Sequence, residues 1–387
     1  MIKFLNDGIA KKYKGKTCVL RVDLNVDPKS DEGMFRLRSV LPTIKLLRKN
    51  KVRVVLVSHK GRPALTNKKQ PITESKKREE QKILSLKPFT KILENEIGEQ
   101  VSFLPVLDFQ KANDALESAK QNIFLLENIR FCVGEEKNDE KLAKHIAELG
   151  DIYVNDAFAV SHRAHASVSA ITKFLPHFGG LQLEKEINNL KGVMAKSESP
   201  FLIILGGAKT SDKLPLIERF WKKADMFLVA GGPGNTMLAA QGIPMGDSIY
   251  DPKLVMEVKK YAFKPNVFTQ SDAIGAGTKI LDIGPETAEE YSELIRSSKT
   301  IIWNGPVGLF EKKQYSNGTK AIWSAVLENK KATIIVGGGE TIASAKLVSN
   351  FKAKLSKRKN IFLSTGGGAM LEYLSGKKLP GMDALNA

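Results

Sequence analysis

The chain has 387 residues, of which 42% are hydrophobic and 26% are charged. This composition is that of a soluble globular protein, and the length predicts two domains. No apolar run is long enough to span a bilayer, and residues 1–7 lack the apolar core of a signal peptide, so we expect a cytoplasmic protein that does not engage a membrane. The net charge of +18 leaves nucleic acid, an anionic surface and a small anionic substrate as possible partners.

The two cysteines, Cys18 and Cys132, are too few for a disulfide framework or a zinc site, so we expect reduced, buried thiols.

Part of the excess positive charge lies between Lys60 and Lys91, where we expect a solvated loop and a short helix. This stretch is either an inert surface insertion or a docking site. Nucleic-acid binding is not expected, because no aromatic residue lies between Lys60 and Lys87.

In the first half of the chain, apolar strands alternate with amphipathic helices. We predict strands over 17–22, 52–57, 101–104, 122–126 and 151–154, and helices over 36–49, 88–97 and 138–149. This alternation predicts βαβ units and a mostly parallel sheet, that is, an α/β fold.

Polar and cationic residues follow four of these strands, where ligands bind in open parallel sheets. They are Asp23 and Asn25, His59 and Arg62, Arg130, and then Asn155, His162, Arg163 and His165. Any single one could form a surface salt bridge, but their shared position predicts one pocket. Guanidinium groups bind phosphate and carboxylate with paired hydrogen bonds, so the pocket suits a small, multiply charged anion.

In the second half of the chain, the predicted strands are mostly followed by glycine. After a linker helix over 180–199, the strand over 201–205 leads into Gly206 and Gly207, and we expect a helix to start at Ser211. This turn, with Lys209 and Lys213, is either an anion site or an ordinary solvated loop.

Glycine follows five strands, at Gly206, Gly231, Gly305, Gly337 and Gly366. Five such turns at one sheet edge predict a groove lined with backbone N–H groups and suited to a polyphosphate. Glu340 is either a Mg²⁺ ligand or a helix N-terminal acid favoured by the helix dipole. An arginine pocket in one domain and a glycine groove in the other together predict phosphoryl transfer between a nucleotide and an acidic metabolite.

Ten motifs, in order, resemble the phosphoglycerate kinase family over nearly the whole chain. They include Arg-Val-Asp-Leu-Asn-Val at 21–26, Ser-His-Lys-Gly-Arg-Pro at 58–63, Leu-Glu-Asn-Ile-Arg at 126–130, His-Arg-Ala-His-Ala-Ser at 162–167 and Trp-Asn-Gly-Pro-Val-Gly-Leu-Phe-Glu at 303–311. The others stand at 155–158, 205–209, 282–285, 336–339 and 364–368.

This resemblance implies reversible transfer of a phosphoryl group from 1,3-bisphosphoglycerate to MgADP, giving 3-phosphoglycerate and MgATP in glycolysis and gluconeogenesis. It also implies a monomer with two doubly wound parallel-sheet domains. The expected division is 1–179 for phosphoglycerate, 180–199 for the interdomain helix, 200–370 for the nucleotide, and 371–387 returning to the first domain.

The resemblance also assigns residues. The positions that match the phosphoglycerate site are Asp23, Asn25, Arg36, His59, Arg62, Arg130 and Arg163. Those that match the nucleotide site are Lys209, Lys213, Asn304, Glu311, Gly338, Gly339, Glu340 and Thr341, with Glu340 also the metal position. Arg36, rather than Arg38, matches the catalytic arginine; Lys209 and Gly367 complete the catalytic set.

The chain departs from the family pattern on the nucleotide side. Glu340 replaces the usual aspartate, and the segment 232–237 and Ile280 differ from the usual residues that line the adenine pocket. We therefore expect altered nucleotide affinity or selectivity. Two rival functions stay open: a weakly catalytic homologue whose basic surface binds RNA or a partner, and another small-molecule kinase on the same scaffold.

Overall fold

A computed structural model describes residues 1–63, 74–104 and 108–386. They form two compact units, one of residues 1–187 together with 378–387 and the other of residues 188–377. None of the helices in these described stretches combines the length and the apolar character needed to cross a bilayer. Cys18 and Cys132 are both free thiols; Cys18 is buried and Cys132 is partly buried.

In the first unit, six described strands form one parallel sheet. They are β1 (Thr17–Arg21), β2 (Arg53–Val57), β3 (Val101–Leu104), β4 (Ile123–Leu126), β5 (Ile152–Asn155) and β6 (His177–Gly179). Their spatial order is β3-β4-β2-β1-β5-β6, and every neighbouring pair is parallel. The order reverses between β1 and β5, which is the switch point where such sheets bind ligands.

Helices connect these strands. They are α1 (Asp7–Lys12), α2 (Asp31–Lys49), α3 (Glu74–Leu84), α4 (Phe89–Ile97), α5 (Phe109–Ser118) and α6 (Glu140–Ala147), and the last one, α16 (Pro380–Asp383), also belongs to this unit. Helix α7 (Leu181–Ala195) begins in this unit and ends in the second, because the division falls between residues 187 and 188. The predicted loop of the basic stretch falls mainly on residues 64–73, outside the described residues, and α3 is the expected short helix.

The second unit repeats the plan. Its strands are β7 (Phe201–Leu205), β8 (Met226–Val229), β9 (Val267–Thr269), β10 (Ala273–Ala276), β11 (Lys279–Ile283), β12 (Thr300–Asn304), β13 (Thr333–Gly337) and β14 (Ile361–Ser364). Six of the described strands form a parallel sheet in the order β14-β13-β12-β7-β8-β9, with its switch point between β7 and β12, and β10 and β11 form an antiparallel hairpin. The chain therefore has the α/β fold with two parallel sheets that the sequence predicted.

The helices of this unit are α8 (Leu214–Phe220), α9 (Gly231–Ala240), α10 (Val255–Ala262), α11 (Pro285–Ser297), α12 (Asn317–Glu328), α13 (Gly339–Ala343), α14 (Phe351–Ser356) and α15 (Gly367–Leu374). Three of them begin within glycine runs that follow strands, as expected. The helix predicted from Ser211 is wrong at its start, because α8 begins at Leu214 and residues 211–213 form a turn.

Candidate active site

The strand-end residues of the first unit are tied together through Gly61, which follows β2. The N–H of Gly61 donates to Asn25 Oδ1 at 2.7 Å, and Arg130 Nη1 donates to the carbonyl oxygen of Gly61 at 2.5 Å. The segments that follow β1, β2 and β4 therefore meet at one place. Arg62, the next residue along the chain, is exposed there.

Arg130 is 2% exposed. Burial lowers its pKa to about 10, Glu136 acts in the opposite direction, and Arg163 and Arg21 lower it further, so the side chain is charged at neutral pH. Its Nε lies 3.2 Å from Glu136. Its Nη2 has no hydrogen-bond partner among the residues that the structure describes, which leaves a buried cationic donor for a ligand.

Arg36 reaches this pocket from α2. Its guanidinium donates to Asp23, which follows β1, and to Glu32 at 2.7 Å one turn earlier on the helix. Burial alone would lower the pKa of Arg36, but the charges of Asp23 and Glu32 raise it above its usual value. By contrast, Arg38 is exposed and bonds Glu96. The structure therefore places Arg36, and not Arg38, among the strand-end residues.

His59 and Arg163 complete the cluster. His59 is 1% exposed, and its burial and the charges of Arg21, Arg130 and Arg163 hold its pKa well below the usual 6.5. Arg163 Nε donates to His162 Nε2 at 3.0 Å. Hydrogen bonds, ion pairs or direct electrostatic interactions thus link the predicted residues of this pocket apart from Arg62 and Asn155. Asn155 instead donates to Ser161 Oγ at 3.3 Å and accepts from the N–H of Ala157 at 3.0 Å.

Sequence reasoning missed a buried network behind this cluster. Arg21 donates to Ser167 Oγ at 2.9 Å, and Ser167 Oγ donates to Glu135 Oε1 at 2.6 Å. Arg21 and Glu135 are both fully buried. The available signal was an arginine inside the apolar stretch 17–22, since a charge in a buried strand needs a partner.

In the second unit, a cavity of about 540 Å³ opens at the carboxyl edge of the sheet. The predicted residues Glu311 and Glu340 line it, together with Gly207 and Gly232. Further wall residues include 247–249, the hairpin residues 276 and 279–282, and 306–309. Ile280, one of the departures from the family pattern, is therefore a wall residue. This volume suits a nucleotide-sized ligand.

Backbone packs against backbone at one end of this cavity. A Cβ on Gly206 would lie 2.2 Å from the carbonyl oxygen of Pro306, and one on Gly305, where φ is +97°, would lie 2.2 Å from that of Gly206. A Cβ on Gly367 would lie 2.6 Å from the Cα of Gly338. Since no side chain fits at these contacts, the turns must be glycine.

Asn304 and Thr341 stand beside the glycine turns. Thr341 Oγ1 accepts a hydrogen bond from the N–H of Gly305 at 2.8 Å. Asn304 is 3% exposed, and its Nδ2 has no hydrogen-bond partner in the described part of the chain. A Cβ on Gly338 would lie 3.3 Å from that nitrogen. Asn304 therefore offers a ligand a second buried donor.

The two lysines differ. Lys209 is exposed, whereas Lys213, the residue before α8, is only 9% exposed. Burial lowers the pKa of Lys213, Asp212 and Glu340 oppose that shift, and Lys209 adds to it. Lys209, Lys213 and Glu340 are thus close enough to interact electrostatically at the glycine-lined end of the cavity.

Asp282 is a further wall residue whose role was not predicted. Its carboxylate accepts from the N–H of Gly318 at 2.9 Å and from that of Ile283 at 3.0 Å, which joins the hairpin to the first turn of α12. Burial raises the pKa of Asp282 to about 6.

Comparison with known proteins shows the family of the chain. The family model described as phosphoglycerate kinase matches residues 9–377. The chain belongs to the phosphoglycerate kinase family. A phosphoglycerate kinase of Thermosipho africanus is 39% identical over 402 residues, covering 96% of this chain and 95% of that protein.

Solved structures agree. The phosphoglycerate kinase of Pyrococcus horikoshii OT3 has a TM-score of 0.80 at 29% identity, covering 97% of this chain and 96% of that one. That of Coxiella burnetii has a TM-score of 0.74 at 31% identity and covers 97% of both chains.

Membership in the family fixes the reaction. The chain is a phosphotransferase that reversibly transfers a phosphoryl group from 1,3-bisphosphoglycerate to ADP, giving 3-phosphoglycerate and ATP, a step of glycolysis. The expectation drawn from the motifs is confirmed at this level.

Proposed function

We propose that the first unit binds the phosphoglycerate and the second binds the nucleotide, each at the switch point of its sheet. The observation that carries this proposal is a buried donor in each site that has no partner among the described residues: Arg130 Nη2 in one and Asn304 Nδ2 in the other. A buried donor left unpaired costs free energy, and a ligand oxygen would satisfy it. Phosphate and carboxylate oxygens are the acceptors that both substrates supply.

In the first unit, the proposed phosphoglycerate ligands are Asp23, Asn25, His59, Arg62, Arg130 and Arg163. Arg36 acts as the catalytic arginine. Its release from Asp23 and Glu32 would let the guanidinium stabilise the charge of the phosphoryl group in flight, where little other side-chain chemistry is needed.

In the second unit, the proposed phosphate contacts are Lys209, Lys213, Asn304, Gly338, Gly339 and Thr341. Glu311, at the other side of the cavity, would hold the ribose hydroxyls. Gly367 begins α15, and its N–H together with Lys209 would receive charge from the moving group.

A Mg²⁺ ion would fit beside Glu340 in this proposed nucleotide site. Among the described residues no group of three or more His, Cys, Asp or Glu could hold a metal ion alone. Mg²⁺ usually takes only one or two carboxylates and completes its shell with water and substrate phosphates, and Glu340 supplies one carboxylate beside Lys213. When bound, Mg²⁺ neutralises phosphate charge.

We further propose that the changed pocket wall alters nucleotide selectivity. Ile280 and Asn235 both line the cavity, and they lie at two of the departures from the family pattern. Calorimetric titration of ADP, GDP and pyrophosphate tests this. Affinity for ADP in the family's usual range, with strong preference over GDP, would remove the idea.

A coupled assay tests the function itself. Bisphosphoglycerate and MgADP should yield ATP, and 3-phosphoglycerate and MgATP should run the reaction backwards. An absence of ATP, combined with retention of the chain on RNA or a protein partner, would favour the binding homologue. Substrate competition would identify a kinase for another acid.

The remaining proposals are a monomeric, cytoplasmic enzyme with no nucleic-acid partner, which accords with a reaction between small soluble substrates. Sedimentation velocity tests the first point, since a concentration-dependent increase in mass would contradict it.

A further inference from the structure

Arg21 holds the ring of His59 from behind the pocket. Its side chain is fully buried at the end of β1. The guanidinium bonds the carbonyl oxygens of Val22 and Val57, the latter at 3.5 Å, and Ser167 Oγ at 2.9 Å. Its remaining contact is between Nη2 and His59 Nδ1, at 3.2 Å.

The chemistry of that contact decides where the histidine proton lies. A guanidinium has five N–H donors, no acceptor, and stays protonated in proteins. His59 Nδ1 must therefore be the acceptor and carries no proton. In a neutral imidazole the other nitrogen then carries it, so Nε2–H is the form that the contact selects.

The surroundings keep the ring neutral. The charged and titratable groups that act on it are Arg21 from β1, Arg130 from the segment after β4, and Arg163 and His165 from the segment after β5. All of them oppose a second proton, as does burial, so the pKa of His59 lies well below its usual value.

We propose that Arg21 is a positioning residue that locks His59 as the neutral Nε2–H tautomer, so that Nε2 donates to a phosphoglycerate oxygen. This inference rests on the proposed function, which makes His59 a substrate ligand. It explains how a histidine among arginines can recognise an anion without adding charge.

Arg21 is itself held in place. Ser167 Oγ accepts from Arg21 Nε and donates to Glu135 Oε1, and the N–H of Ser167 donates to Glu135 Oε2 at 2.9 Å. Burial alone would raise the pKa of Glu135, but contacts with His165, Arg21 and Ser167 hold it below its usual value. The carboxylate thus stays ionised and balances the buried guanidinium.

Imidazole ¹⁵N–¹H spectra of the full-length protein test the tautomer directly. The chain has five histidines, and loss of one signal in His59→Gln assigns His59. The expected result is the Nε2–H pattern without titration between about pH 8 and 5. An Nδ1–H pattern, or a midpoint near the usual value, overturns the proposal.

Two substitutions at His59 separate this inference from the proposed function. The glutamine amide nitrogen stands near the position of Nε2 and that of asparagine near Nδ1. His59→Gln should keep the KM for 3-phosphoglycerate about tenfold closer to the wild-type value than His59→Asn, because only glutamine restores the donor. If neither changes this KM, His59 binds no substrate and the proposed function fails at this residue. If His59→Asn keeps this KM closer to the wild-type value than His59→Gln does, His59 binds the substrate in the other tautomer, and only the tautomer assignment fails.

Arg21→Lys tests the positioning role. Lysine keeps the positive charge but lacks the planar guanidinium with its several N–H donors, so the His59 signal should become a mixture of tautomers. The KM for 3-phosphoglycerate should rise about tenfold while that for ATP stays unchanged. If Arg21→Lys does not fold, Ser167→Ala, which removes the acceptor of Arg21 Nε together with the hydroxyl donor to Glu135 Oε1, should give a smaller change in the same direction. An unchanged His59 signal in a folded variant contradicts the role.

Tyr153→Phe is the matched control. Tyr153 is buried in the same region, and its hydroxyl donates to the backbone oxygen of Ser167 at 2.9 Å. The substitution removes this buried hydrogen bond but none of the hydrogen bonds of the guanidinium, so the tautomer pattern of His59 should not change.

Discussion

The candidate sites of the two units offer an anion different groups. In the first, the strand ends carry guanidinium groups that are held by carboxylates, as Arg36 is by Asp23 and Glu32. In the second, the strand ends carry glycines whose backbones touch, as Gly206 and Gly305 do. The same sheet arrangement therefore carries a candidate site made of side chains in one unit and a candidate site made of main chain in the other.

This difference predicts which substitutions and conditions should affect each candidate site. A side-chain site depends on charge, so it responds to substitution of one ionic group and to pH. A main-chain site depends on close approach of the backbone, so it responds to the addition of one carbon atom. The predictions below test this contrast, from the largest expected effect to the smallest.

Removing a guanidinium should have the largest effect. Arg36→Ala is expected to lower kcat by on the order of a hundredfold or more, as happens when a partner of transition-state charge is lost. Steady-state assays in both directions measure this. Arg38→Ala, on the same helix but exposed and paired with Glu96, is the control and should leave kcat near the wild-type value. A loss under about threefold for Arg36→Ala would show that the catalytic assignment is wrong.

Adding one methyl group to the glycine site comes next. Gly305→Ala puts a Cβ 2.2 Å from a carbonyl oxygen at φ +97°, so the backbone must shift. The KM for ADP should rise about tenfold, with the affinity for 3-phosphoglycerate unchanged. Gly192→Ala in α7 is the control, because a Cβ there meets nothing within 4 Å. Equal effects of the two changes on ADP would rule out a main-chain site.

The carboxylate of Glu340 should have an intermediate effect. Glu340→Gln removes one negative oxygen beside Lys213, so the Mg²⁺ concentration that gives half-maximal activity should rise severalfold. Glu340→Asp keeps the charge on a shorter stem and should lower that requirement relative to Glu340→Gln. Magnesium titrations at saturating ADP measure both. Identical titrations for all three proteins would leave Glu340 as a helix N-terminal acid.

The smallest effect concerns pH and stability. The pKa of His162 is lowered from 6.5 to about 4, first by burial and then by Arg163 and His165, while Asp23 opposes the shift. Between these pH values the unfolded chain binds a proton that the folded chain does not, so this stability is full above pH 6.5 and is lost as pH falls towards 4.

His162→Gln cannot titrate but can still accept from Arg163. Its Tm should fall less steeply than that of the wild type over this pH range, by about 2–4 °C at the acid end. Thermal scans at a series of pH values measure the slope. His145→Gln, on the exposed surface of α6, is the control for loss of an imidazole. A slope equal to that of the wild type would contradict the prediction.

Local sequence patterns located most of the sheet. The predicted strands over 101–104 and 201–205 coincide with β3 and β7, because short apolar runs between turns have few alternatives. Apolar periodicity predicts the start of α2 five residues late, because the first turn of this helix is polar. Ser30 Oγ accepts from the N–H of Gly33, and Asp31 and Glu32 follow it, so a helix N-terminal capping pattern marks the observed start.

The periodicity of apolar residues did not predict elements that are short or that depend on contacts distant in the sequence. The helix expected at Ser211 gave way to a turn before α8. Helices α1 and α5 and strand β6 were not predicted. These elements have 6, 10 and 3 residues, and packing against the rest of the unit stabilises such short segments.

The sequence by itself determined the family and the alternation of strand and helix, and it predicted the edge of each sheet at which the candidate site residues lie. These follow from residue order, since a strand end and the residues after it are neighbours in the chain. Only the tertiary structure decided that Arg21 faces His59 across 38 positions and Glu135 lies behind Ser167 across 32. Such partners are brought together by the order of strands in a sheet, which is set by packing between segments that are far apart in sequence.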